Sequence, residues 1–149
     1  MTVYRLSGSK YPSNDGIGAS IYGGRWNQKG IPIIYCGSSI AICALEVLVH
    51  SAELPSDMVL IAAEIPAGLS ITTVAEDDLP PDWNSPIPQR STKNLGSKWA
   101  SASRTAVLAV PSSVIPAERN YLLNPLHFDF ARITFSSPKP FWFDPRLKK

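Results

Sequence analysis

The chain has 149 residues, a formal net charge of +2 and 44% hydrophobic residues. That length suits one domain, expected over residues 1–149, with enough chain to bury a core of its own, and the composition excludes a disordered or low-complexity protein. So small a charge, with no Lys/Arg cluster beyond a terminal Lys148-Lys149 pair that reads as a solvated tail, gives no footprint for direct nucleic-acid binding, and no apolar run reaches membrane-spanning length.

Thr2 to Leu6 reads as a short strand. Ser7 to Gly24 is loop-rich, punctuated by Gly8, Pro12, Asn14, Asp15, Gly16 and Gly18. Ile31 to Cys36 is a β-branched run between Gly30 and Gly37 and predicts a buried strand. Ser38-Ser39 then offers an N-cap for a helix from Ile40 to Ala52, closed by Pro55. Met58 to Ile65 and Leu69 to Val74 read as two more strands. Glu76 to Pro88 ("EDDLPPDWNSPIP") reads as a loop, or as an exterior docking or self-association surface. Ser91 to Ser103 predicts a helix with Leu95 and Trp99 on one face. Ala106 to Val110 is a strand ending at Pro111, Pro116 to Leu123 holds a helical turn, and Ala131 to Phe135 and Phe141 to Phe143 are late strands. The sum is an α+β fold, central strands with flanking helices.

Cys36 and Cys43 lie in apolar surroundings without a paired framework or a secretory signal, which predicts a reducing, cytoplasmic setting. With two Cys and two His, none at ligand spacing, no metal set forms. His50 and His127 have no partners at a spacing that suggests a catalytic triad.

Glu46 is the residue that demands a reason. On the predicted helix its neighbours are positions 42, 43, 49 and 50, and three of these are Ile42, Cys43 and Val49. An ionised carboxylate among such side chains is expensive without a partner. A structural ion pair, a solvent-grazing face and a functional acid are all open readings, because costly acids also gather at active sites. Arg25 follows Gly23-Gly24. It is either a turn arginine or a fork for a carboxylate or phosphate, with the glycines, Gly24 above all, allowing close approach. The loop is neither a phosphate loop nor a dinucleotide fingerprint. Tyr35 either edges a core or offers a platform for a flat ring. Ser112 either caps a short helix or meets a ligand. Asn120 belongs to a polar-aromatic knot that fixes a loop, and Arg5 points either to solvent or into a cleft.

Taken together and in order, "VYRLS", "YGGRWNQKGIPIIYCGSS", "ALEVLVH", "IPAGL", "DLPPDW", "VPSSVIPAERNYLLNP" and "FDPRL" resemble the RES domain, from Val3 to Leu147. The resemblance implies a fold like that of ADP-ribosyltransferase toxins. It also implies the toxin half of a bacterial toxin–antitoxin pair, with an Xre-like helix-turn-helix antitoxin as partner. A homodimer is a further option, with the Glu76 to Pro88 stretch as a candidate surface. The implied activity consumes NAD⁺, by hydrolysis or phosphorolysis of the nicotinamide–ribose bond, with no cofactor beyond NAD⁺ as substrate. By motif, the family Arg falls on Arg25, the Tyr on Tyr35, the Glu on Glu46 and the Ser on Ser112, with Arg5 as a further basic position and Asn120 as a motif position of open role. Ile42-Cys43 departs from the usual lead-in to the Glu. The implied roles are Glu46 stabilising charge on the ribose, Arg25 and Arg5 holding the dinucleotide, Tyr35 meeting the nicotinamide ring, and Ser112 bonding the nicotinamide end or the acceptor. Two alternatives remain: a mono-ADP-ribosyltransferase acting on a protein, and an inactive RES-like module that modulates an Xre-type partner.

Overall fold

The computed structural model describes residues 1–148. Eight strands join one sheet: β1 (Thr2–Gly8), β2 (Ile34–Gly37), β3 (Met58–Glu64), β4 (Ile71–Thr73), β5 (Val107–Pro111), β6 (Arg119–Leu123), β7 (Thr134–Phe135) and β8 (Lys139–Phe141). Their order is β4-β5-β6-β2-β1-β3-β7, with β8 also paired to β3. Among these strands only β4 and β5 run parallel, and the long crossover a parallel pair requires carries helix α3 (Arg90–Ala102). Two other helices flank the sheet, α1 (Ile17–Tyr22) and α2 (Ile40–Val49). The expected α+β class is the observed one.

Register decides which side chains share a face, because directly paired residues point the same way and neighbours along a strand alternate. The pairs Val3–Ala63, Ile34–Leu123 and Leu123–Val107 put one set on the first face. There they meet Ile65, Leu69 and Ile133 in a closed apolar core. The pairs Tyr35–Leu122, Leu122–Leu108 and Gly37–Asn120 define the second face. Its core joins Leu108, Val110 and Leu122 to Trp26, Trp83 and Trp99. Helix α3 reaches this core through Thr92, Gly96 and Trp99, spaced as one helical stripe. Helix α2 lies on the same face. Ser39 caps it by accepting from the Ile42 amide at 3.1 Å, and a Cβ at Gly37 would stand 2.6 Å from Ile42 Cγ2, so only glycine lets the helix lie this close to β2.

Several expected elements differ. Residues 119–123 are strand β6, not a helical turn. Pairing on both sides, with β5 and β2, satisfies their backbone groups and overrides local preference. Helix α1 stands in the segment read as loop: Gly16 and Gly23, both at positive φ, bracket it instead of interrupting it. Helix α2 stops at Val49 because His50 and Ser51 donate to Val47 and Leu48, the tight last turn common at helix ends. A 3₁₀ segment at Phe128–Arg132 replaces the start of the strand expected at Ala131. Lys148 is not a free tail residue, since its ammonium donates to the Ser51 carbonyl; Lys149 lies outside the described residues. Among the described residues no helix is long and apolar enough to cross a membrane.

Candidate functional site

Helix α2 carries Glu46 over the second face of the sheet, opposite β6 and the segment after β5. Its Oε1 accepts from Ser112 Oγ at 2.6 Å and from Asn120 Nδ2 at 2.7 Å. Ser112 is fully buried, and its Oγ also accepts from the amides of Val114 and Ile115 at 3.1 and 3.2 Å. A hydroxyl has one donor and two acceptor sites, so this one is fully used. Oε2 of Glu46 takes no hydrogen bond from any described residue, and Glu46 makes no ion pair among them. One oxygen is pinned and the other is presented.

Glu46 and Asn120 line a cavity of about 660 Å³, together with Arg25, Trp26, Tyr35 and His50, a size usual for small-molecule and cofactor sites. Arg25 spans this cavity to the far wall, donating through Nη1 to Trp83 O and through Nη2 to Ser85 O, both at 2.8 Å. A guanidinium has five N–H groups, so the others remain for a ligand. Burial lowers its pKa, opposed by the negative charge of Glu46 and then by Tyr35; arginine and glutamate therefore feel each other across the cleft. The end of the 76–88 stretch, residues 83–88, is accordingly a wall of the cleft, while Glu76–Asp78 lie exposed. Its Trp83 is buried against Trp26, and Pro86 and Pro88 face the cavity.

Tyr35 donates its hydroxyl to Asn27 Oδ1 at 2.6 Å and accepts from the Trp26 amide at 3.2 Å. Burial pushes its pKa up, so the phenol stays protonated. Its ring, not its hydroxyl, is what it offers the cavity. Asn27 is fully buried and donates to the carbonyls of Ala19, Gln28 and Ile31 at 2.8, 3.1 and 3.0 Å, tying α1 and the Arg25 loop together. Gly24 lines the cavity, but its lack of a side chain serves the protein as well: a Cβ there would stand 2.6 Å from the Tyr35 hydroxyl.

Two expectations need correction. Ser112 does not face the cavity. Its neighbour Ser113 does, and the fully bonded Ser112 hydroxyl orients Glu46 instead of meeting a ligand or acceptor. Arg5 is paired with Ile61, which puts it on the first face of the sheet with Val3, while Tyr35 and Asn120 occupy the second. Its guanidinium holds Ser13 O and Asn14 Oδ1 and is absent from the cavity wall.

The RES domain family matches residues 2–144. This chain is a member of the RES domain family. Relatives extend over its whole length. It is 41% identical to Toxin Res of Photorhabdus laumondii subsp. laumondii over 154 aligned residues, covering 100% of this chain and 98% of the relative. It is 38% identical to the Prs ADP-ribosylating toxin of Sphingobium sp. strain YBL2, covering 92% and 89%. Its fold matches a chain in the crystal structure of the M. tuberculosis MbcT–MbcA toxin–antitoxin complex, with a TM-score of 0.76 over 98% of this chain and 85% of that one, at 17% identity. In this RES domain, sequence reasoning missed Asn27 and His50. The signal for His50 was present, since it lies four residues beyond Glu46 on one helix and so on one side of it. Asn27 had only its place in a Gly-rich loop, where Asn is common for many reasons.

Proposed function

We propose that this RES-domain chain is the toxin of a toxin–antitoxin pair and that it cleaves the nicotinamide–ribose bond of NAD⁺. The observation that carries the reading is Glu46: one carboxylate oxygen fixed by Ser112 and Asn120, the other open to a cavity that also holds Arg25. Nicotinamide leaves as a neutral molecule from a cationic ring, so it needs no acid. Positive charge grows on the ribose instead, as in glycoside cleavage. A carboxylate already held in place stabilises that charge without reorganising. If Glu46 supplies about 2.7 kcal/mol, its loss slows the reaction about a hundredfold.

The other residues take roles consistent with their positions. The remaining N–H groups of Arg25 suit a pyrophosphate oxygen, and the Tyr35 ring suits the face or edge of nicotinamide. Gly24 keeps the backbone near both. Arg5 has no direct part, and no cofactor beyond NAD⁺ as substrate is required. An accessible NAD⁺-consuming cleft in a cytoplasmic setting calls for a protein that covers it, and an Xre-like antitoxin fills that role in this reading.

Transfer of ADP-ribose to a protein is the second reading, favoured by the name of the Sphingobium relative. Incubation of the purified chain with NAD⁺, with and without phosphate and with cell extract, separates the outcomes. Free nicotinamide with ADP-ribose, or with its phosphorylated form, supports cleavage. A discrete ADP-ribosylated protein supports transfer. Intact NAD⁺ in every arm, or full activity of a folded Glu46→Gln variant, would sink the assignment.

A further inference from the structure

We propose that His50 takes the proton from a protic acceptor, water in the isolated enzyme, as that acceptor adds to the ribose carbon that nicotinamide leaves. The proposal rests on the NAD⁺-cleaving reading above and adds the group that completes it. His50 lies one turn beyond Glu46 at the end of α2, and residues at that spacing share a helix side. Its imidazole is exposed and has no hydrogen-bond partner among the described residues. It borders the main cavity and also a smaller adjoining one of about 230 Å³, with Arg25, Pro86 and Ser113 also common to both walls. The smaller cavity adds Asn84 as a polar group, Val49 and Val114 as apolar ones, and no carboxylate. It is a side chamber with room for water, reached past His50 and Arg25 from the cavity that Glu46 lines.

Elimination points the same way. The remaining titratable groups on the main wall are Glu46, Arg25, Tyr35, Cys36 and Cys43. Glu46 Oε1 is held by two donors, and Oε2 is needed by the developing cation. Arginine does not give up its proton in proteins. The Tyr35 hydroxyl is committed to Asn27, and burial keeps both thiols protonated. Histidine is the side chain whose charge ordinarily changes between pH 5 and 8. The charged groups around it are Glu46 on its own helix, Arg25 across the cavity and Lys148, which donates to the carbonyl of the next residue, Ser51.

The step balances. The C1′–N bond breaks and nicotinamide keeps its electron pair. The water oxygen bonds to C1′, its proton passes to the free ring nitrogen of His50, and the imidazolium then returns that proton to solvent.

The test measures nicotinamide release from NAD⁺ by the full chain between pH 5 and 9. Wild type, His50→Gln and His50→Ala are compared, with thermal denaturation to check folding. The wild-type kcat is expected to rise with pH along a one-proton limb. His50→Gln is expected to lose about 10²-fold in kcat, with KM little changed and the limb gone. Added imidazole is expected to restore part of the His50→Ala rate. A folded His50→Gln variant with wild-type rate and pH profile overturns the proposal. So does a slow variant that keeps the limb and ignores imidazole, since that is a structural effect. Cleavage that requires phosphate and shows no limb also overturns it. Absence of nicotinamide release by wild type is a different result: it removes the NAD⁺ reading itself.

Discussion

The two faces of the sheet are built on the same strands and are covered in different ways. On the first, Val3, Ile34, Cys36, Ala63, Val107 and Leu123 close against Ile65, Leu69 and Ile133, nearly without solvent. On the second, a tryptophan cluster fills one half, while α2, the Arg25 loop and the 83–88 segment leave a cavity over the other. The polar atoms on that side are held in place by neighbours: Asn27 by three carbonyls and Tyr35, Glu46 by Ser112 and Asn120. The first face is organised for burial, and the second gives up burial to keep one carboxylate oxygen and one guanidinium available. Substitutions on the first face should therefore act on stability, and those on the second on rate.

The largest effects test that division directly. Leu123→Ala, on a fully buried first-face residue, is expected to cost about 2–5 kcal/mol in urea unfolding, with the kcat of the remaining folded enzyme unchanged. Glu46→Gln should do the reverse, lowering nicotinamide release about a hundredfold with little shift in Tm. If both variants move the same observable, the two faces do not divide the work.

The thiols give a pH test of burial on both faces, Cys36 in the closed core and Cys43 on α2. Burial pushes Cys36 up to about 12 and Cys43 to about 11. An unfolded thiol ionises above about 8.5. Between those values the unfolded chain binds fewer protons than the folded one, so stability falls as pH rises. The slope is about 1.4 kcal/mol per pH unit for each thiol. Urea unfolding from pH 8 to 10 should show this loss, and Cys36→Ala should about halve the slope, since Cys43 still contributes. A flat wild-type profile would mean that the thiols ionise freely in the folded protein.

Ser112→Ala sits at the junction of orientation and stability. It removes one of two donors to Glu46 Oε1 and leaves the amides of Val114 and Ile115 without their acceptor. A tenfold fall in kcat is expected, about 1.4 kcal/mol, with KM for NAD⁺ unchanged because the hydroxyl does not face the cavity. A raised KM at constant kcat would instead make Ser112 a ligand contact.

How much of this was legible follows from range. Glu46 was flagged because one acid in an apolar helix is a local anomaly, and the cap at Ser39 and the strands of β-branched residues are local too. The family motifs then gave Arg25, Tyr35 and Ser112 their company. What stayed hidden depends on pairing between distant segments. Strand β6 looks helical until β5 and β2 flank it, and the 83–88 wall exists only because its carbonyls meet Arg25. Ser112 and Asn120 were found as positions but not as the two donors on Glu46, a relation set by a partner more than sixty residues away.

Arg5 gives the smallest expected effect and the sharpest discrimination between motif and register. Its motif position suggests a second cation for the dinucleotide. Its pairing with Ile61 puts the side chain on the closed face, where it ties down the Ser13–Asn14 loop. Burial is the main influence on its guanidinium and lowers its pKa. Arg5→Gln, which keeps an amide donor, should lower unfolding free energy by about 1 kcal/mol, the net scale of one ordinary hydrogen bond, and change KM for NAD⁺ less than twofold. The salt dependence of KM adds a second readout. A cation touching pyrophosphate would make binding weaken with ionic strength, and its removal would flatten that slope. If Arg5→Gln flattens it as Arg25→Gln does, register has been misleading and both arginines serve the ligand; if only Arg25→Gln does, the two faces divide even residues of the same type.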